Sequence, residues 1–147
     1  MKLEFKHLAS YLPFKLKYKF ASDNVYYDLI GLDFDYLGLT HLRNGEKGYS
    51  SIELSKPILF PLLSLTKEIT INGETFVPIY KIYEFEQWDT DELEEIINDG
   101  TIEGIYNDLN LIPYSHAEKL FEWKIDVFGL IDAGLAEPVT EDFNPYK

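Results

Sequence analysis

Phe14-Lys15-Leu16-Lys17-Tyr18-Lys19-Phe20 is the stretch on which the fold class turns. Its period is two, and a β-strand sends successive side chains to opposite faces. Phe14, Leu16, Tyr18 and Phe20 therefore point inward, and Lys15, Lys17 and Lys19 form a cationic outer stripe. Upstream, Leu3, Phe5, Leu8 and Leu12 recur near one helical face, which predicts a short helix over residues 3–11, stopped by Pro13.

Working downstream, Val25–Leu32 and Tyr36–Leu42 read as two further strands. Arg43-Asn44-Gly45 follows as a turn, because Asn and Gly tolerate positive φ. Residues 56–61 carry two prolines and predict extended or irregular chain. Pro61 then opens a short helix over Leu62–Glu68. Ile69-Thr70-Ile71, Asn72-Gly73 and Glu74-Thr75-Phe76-Val77 spell a hairpin with a type I′ turn. Pro78 breaks or edges that strand before another over Ile79–Phe85. Asp89-Thr90-Asp91-Glu92 caps a helix over Asp91–Asn98 that ends at Gly100. Ser115 caps the strongest helical pattern in the chain, which runs to about Ala133 with Gly134 beyond. The reading is α+β: one domain over residues 1–147, an antiparallel sheet of four or five strands from Phe14–Leu42 and Ile69–Phe85, and a long C-terminal helix packed on one face.

Composition bounds the class. The 147 residues are 46% hydrophobic and 16% aromatic, enough to offset ordering entropy with one full core. Cysteine is absent, which removes disulfides, thiolate metal sites and cysteine nucleophiles. Glu4, Lys6 and His7 interrupt the N-terminus where a secretory signal needs a continuous apolar run, and no stretch approaches the about 18 apolar residues of a membrane span. A cytoplasmic protein without membrane contact is expected. Net charge is −13 and uneven: residues 1–20 carry +4, residues 21–83 carry −3 and residues 84–147 carry −14.

Three segments carry a family resemblance: Met1-Lys2-Leu3-Glu4-Phe5-Lys6-His7-Leu8-Ala9-Ser10-Tyr11-Leu12-Pro13, then residues 56–69 (KPILFPLLSLTKEI), then residues 119–136 (KLFEWKIDVFGLIDAGLA). Together they resemble a family of small uncharacterised proteins encoded in phages and prophages of Bacteroidetes bacteria, over roughly a third of the chain and in order. The resemblance implies a phage-derived protein working inside a bacterium, and brings no reaction, cofactor or catalytic residue. In the family pattern Arg often stands at the position of Phe60 and His at that of Lys124, which implies that neither is a fixed catalytic group here.

Candidate chemistry is sparse. Asp33 and Asp35 share one side of a strand, and His41 shares their parity if the strand resumes without a bulge, a set that could hold a divalent metal for an enzyme. The competing reading is a plain solvent face. No nucleophile elbow, zincin motif or phosphate loop is present, so no cofactor is expected and catalysis has no sequence support. Gly45-Glu46-Lys47-Gly48 matches a GxxG clamp but reads better as a polar turn. Lys15, Lys17 and Lys19, with Tyr11 and Tyr18 nearby, could follow a nucleic acid by phosphate contacts and stacking, or could guard an edge strand or face acids. The acidic second half, with Asp91, Glu92, Glu94, Glu95 and Asp99 as its densest face, suits a basic surface on a host or phage protein, such as a nucleic-acid-handling or defence enzyme inhibited by charge mimicry; a solubilising surface is the alternative. Trp123, on the nearly all-round apolar C-terminal helix, is a candidate interface aromatic, and that helix equally suits the seam of a homodimer. The leading expectation is a non-catalytic interaction protein.

Overall fold

The computed structural model describes residues 1–20, 25–36, 38–84 and 112–147, together with Asp91, Glu94, Glu95, Asn98 and Tyr106. Of the Phe14–Phe20 stretch only Lys17–Phe20 is strand, because Leu12–Phe14 forms a single 3₁₀ turn and Lys15 takes the left-handed conformation; that strand lies inside a mostly antiparallel α+β arrangement. Strands β1 (Lys17–Phe20), β2 (Tyr26–Asp33), β3 (Gly38–Arg43), β4 (Glu46–Ser51), β5 (Ser55–Leu59) and β8 (Glu137–Pro138) form a six-stranded sheet of order β4-β3-β2-β1-β5-β8. All neighbours are antiparallel except β5 and β8. Asn44 and Gly45, at φ 52° and 80°, close the β3–β4 hairpin in the left-handed conformations that the Asn-Gly pair supplies without strain.

Four sequence expectations change here. β4 (Glu46–Ser51) carries little apolar signal because it is a largely exposed edge, and β5 occupies the proline-bearing stretch expected to be irregular. The second hairpin, β6 (Ile69–Ile71) and β7 (Glu74–Phe76), forms where predicted around Asn72-Gly73 but stands as a separate two-stranded sheet. Beyond it, Pro78–Glu84 is helix α2 rather than strand. Proline fits the first helical turn, and Ile79 and Ile82 bury together at i, i+3 while Tyr80 stays exposed.

The long C-terminal helix is shorter than its sequence pattern. Helix α3 runs only over Tyr114–Glu122, after α1 (Phe5–Ala9) and α2. Its stop is a Schellman motif: the Ile125 N–H donates to the Leu120 carbonyl (2.9 Å) and the Lys124 N–H to that of Phe121 (3.0 Å), with Lys124 at φ 56°. Ile125 and Leu120, both fully buried, supply the hydrophobic contact that accompanies this motif. The chain leaving the helix pairs with Phe60 in a parallel bridge, Phe60 N–H to Lys124 O at 2.8 Å and Asp126 N–H to Phe60 O at 2.9 Å. Buried Asp126 then accepts from the backbone N–H groups of Leu130 (2.9 Å) and Ile131 (2.8 Å), organising the turns that replace the expected helix.

Two apolar clusters flank the sheet. Leu8, Tyr11, Leu16, Tyr18, Leu29, Leu39, Leu59 and Leu130 fill one side, joining α1 to the 130–136 turns. Ile58, Phe60, Leu65, Ile79, Leu120, Trp123, Ile125 and Tyr146 fill the other, joining β5 to α2, α3 and the second hairpin. Two tyrosines cross-link the layers: the Tyr11 hydroxyl donates to the Ile125 carbonyl (2.6 Å), and the Tyr146 hydroxyl accepts from the Lys17 N–H (2.9 Å) and donates to the Ile58 carbonyl (2.8 Å).

Candidate functional site

Strand register separates the residues proposed for a metal. Asp33 pairs with Gly38, so both point to one face; His41 lies three residues beyond Gly38 and points to the other. His41 pairs with Leu29, four residues from Asp33, about 13 Å along the strand. The Asp33 carboxylate instead accepts from the N–H groups of Asp35 (3.0 Å) and Tyr36 (3.3 Å), fixing the β2–β3 turn. Among the described residues no group of three or more His, Asp or Glu is placed to hold a metal ion.

His41 belongs to a cluster that sequence reading missed. Its Nδ1 lies 2.9 Å from the Tyr18 hydroxyl and 2.9 Å from Ser50 Oγ, and the Tyr18 hydroxyl donates to Ser50 Oγ at 2.8 Å. Cross-strand pairing puts all three on one face of the sheet, Tyr18 reaching over β2 to His41 on β3 and Ser50 on β4, and the ring of Tyr27 on β2 lies 4.4 Å from that of His41. Gly48 completes the arrangement, since a Cβ there would sit 2.5 Å from His41 Nε2. Burial lowers the His41 pKa, holding the imidazole neutral in this network, and pushes the Tyr18 phenol up to about 12. A hydroxyl beside an imidazole is the pairing of nucleophile and base. Ser50 and Tyr18 are nevertheless buried, so the triangle serves as a satisfied polar contact inside the sheet. The only sequence signal was Ser50 and His41 flanking a tight hairpin, which any turn shares.

Of the lysine stripe only Lys17 and Lys19 lie on β1, which is inside the sheet rather than at its edge. Lys17 is ion-paired with Asp28, and Lys19 lies 3.4 Å from Glu137 and 4.2 Å from the centre of the Phe143 ring. Lys15 sits just before the strand, exposed, in the left-handed region at φ 60°. The stripe is thus partly neutralised across the sheet, which leaves a weak track for a polyanion.

Trp123 is buried against Phe76, ring centres 5.2 Å apart, and so is core rather than a surface anchor. Among the described residues the most exposed aromatics are others: Tyr36, Tyr49 and Phe34 around the β2–β3 turn and β4, and Tyr114 at the start of α3. Of the acidic set, Asp91, Glu94 and Glu95 are helical and exposed, as is Asn98. Glu92 and Asp99 lie outside the described residues. Spacing of i, i+3, i+4 and i+7 places Asp91, Glu94, Glu95 and Asn98 on one helical face.

No protein-family model, curated protein or solved structure matches this chain. Among the described residues no helix is long and apolar enough to cross a membrane.

Proposed function

We propose that this chain is a non-catalytic interaction protein, phage-encoded and working in the bacterial cytoplasm, that docks through its acidic side onto a basic surface of a host or phage protein. The observation that carries the reading is the exposed face of Asp91, Glu94 and Glu95. It belongs to a second half with 17 acids against three lysines. Of the amino-terminal lysines, Lys17 is engaged by Asp28, outside that acidic half, and Lys19 offsets one of its acids, Glu137. Carboxylates held in solvent on a chain of net charge −13 attract a cationic partner over about a Debye length, roughly 8 Å at physiological salt, and raise its encounter rate.

A pull-down from bacterial lysate at low and physiological salt tests this, comparing the native chain with an Asp91→Asn, Glu94→Gln, Glu95→Gln variant. The native chain is expected to retain a basic protein whose recovery falls with salt and drops at least ten-fold for the variant. Recovery of no partner at either salt, or of the same partner by both chains, overturns the reading.

A further inference from the structure

The face of β2, β3 and β4 turned away from Leu29 and Leu39 holds a cavity of about 510 Å³, lined by Asp33, Tyr36, Gly38, Tyr49, Ser50 and Ser51. Strand register explains its shape. Asp33, Gly38 and Ser51 face one another across the three strands, and Tyr49 shares their face two residues from Ser51. Gly38 leaves the middle of that row without a side chain, and a Cβ there would press on the Ser50 carbonyl oxygen at 3.3 Å. Two strand spacings, about 10 Å, separate the backbone of Asp33 from that of Ser51. Tyr36 and Tyr49 border the cavity at 85% and 77% exposure.

The same strand is an open edge. Among the described residues β4 pairs with β3 alone, in a register without a bulge. Because the two-residue Asn44-Gly45 turn closes this hairpin, Arg43 and Glu46 exchange backbone bonds, and Gly48 and Ser50 repeat the pattern toward β3. The N–H and C=O of Tyr49 and the N–H of Ser51 therefore face outward, while the Ser51 carbonyl accepts from Ser55 Oγ at 2.7 Å. Such an edge is a template for an added strand. Glu46 and Lys47 charge its turn end, and Tyr49-Ser50-Ser51 beside the cavity is uncharged. No Lys, Arg or His lines the cavity. Both bonds to the Asp33 carboxylate fall on Oδ1, and among the described residues no cation is ion-paired with it.

We propose that the β4 edge and this cavity bind an extended, arginine-bearing segment of another protein, its main chain adding to β4 as a strand and its guanidinium lying in the cavity. A residue opposite Tyr49 or Ser51 on an added strand puts its side chain on their face, which is the face of the cavity. From there a long side chain crosses toward Gly38 and Asp33. The Asp33 carboxylate accepts from the guanidinium, and the tyrosine rings offer it π faces. Main-chain bonds to Tyr49 supply affinity, and the cavity supplies selectivity. The volume lies in the range that holds drug-sized ligands, more than a guanidinium alone requires, which favours an arginine carried on a peptide. A second copy of this chain suits the edge less. Two molecules of net charge −13 repel, and the single arginine, Arg43, already lies over the Tyr27 ring. This contact uses none of Asp91, Glu94 and Glu95, so it stands or falls separately from the acidic docking face.

The test is calorimetric titration of the full chain with the end-blocked pentapeptide Thr-Val-Arg-Val-Thr, with hydrogen exchange read at the Tyr49 amide. Saturable binding is expected, with slowed exchange at Tyr49. A peptide with glutamine in place of arginine, or with the arginine N-methylated, should bind about ten-fold more weakly or worse, whereas N-methylation of a valine, whose N–H faces away from β4, should cost little. Asp33→Asn, which keeps an acceptor for the β2–β3 turn, and Tyr49→Thr, which keeps a β-former on the edge, should each weaken binding about ten-fold. No saturable binding, or equal binding of the glutamine peptide, overturns the arginine assignment. Undiminished binding by both protein variants overturns the cavity, and equal binding of the arginine-methylated peptide or unchanged exchange at Tyr49 overturns strand addition. Tyr49 exchange that slows with protein concentration when no peptide is present gives the edge to a second copy and overturns the proposal.

Discussion

Lys124 shows how one side chain can carry both a structural duty and an energetic cost. Its backbone adopts the left-handed conformation that ends α3, a position where glycine is the usual residue, and most of its side chain is buried in the process. The folded pKa near 8 lies below the ordinary 10.5. The folded state therefore binds its proton less tightly than the unfolded state does, and Lys124 penalises folding fully below pH 8. That penalty fades as pH rises from about 8 to 10.5. Lys124→Met is accordingly expected to be more stable than the native chain at pH 7 by about 1–2 kcal/mol, allowing for solvent screening of the amine tip. The difference should shrink toward zero by about pH 10.5, and urea unfolding of both chains across that range measures it. A difference that stays constant with pH would show that Lys124 is not desolvated as described. None of this was visible in sequence, where Lys124 occupies one position in an apolar helical pattern; its burial follows from the chain turning there and pairing with Phe60.

Between α3 and β8, the run of apolar residues at helical spacing misled because the same residues satisfy a different local solution. Val127, Leu130 and Ala136 are buried as a helix would bury them, but by turns held together by one carboxylate. Asp126 replaces intrahelical carbonyls as acceptor for the Leu130 and Ile131 N–H groups. Asp126→Ala leaves both donors without that acceptor in a buried setting, at about 1–3 kcal/mol for each group that water cannot reach. The expected result is a loss of about 2–4 kcal/mol in chemical denaturation, with loss of hydrogen-exchange protection confined first to the Leu130 and Ile131 amides. Unchanged protection at those two amides would refute the role. By contrast the Asn72-Gly73 hairpin was readable, because positive φ at two adjacent positions, 51° and 81°, is a demand that few residue pairs meet.

Over the whole molecule, charge is the property with the widest consequence. A net −13 opposes compaction by self-repulsion, partly relieved where Lys17 meets Asp28 and Lys19 meets Glu137 across the sheet. Added sodium chloride should therefore raise the melting temperature between about 20 and 200 mM, as screening shortens from roughly 20 Å to 7 Å. A falling melting temperature in thermal unfolding would mean that attractive pairs outweigh the repulsion. The α+β class, the absence of cysteine chemistry, the existence of a strand ending at Phe20 and both Asn-Gly turns were legible in residue order alone, because alternation and turn chemistry are local constraints that a few neighbouring side chains impose; the place of that strand inside the sheet was not. The proline-bearing β5, the two-residue β8, the α2 helix in place of a strand, the separation of His41 from Asp33 and the burial of Lys124 were not. Each of these depends on which distant segment supplies a hydrogen bond or removes water, and that is a property of chain partners brought together by burial rather than of sequence neighbours.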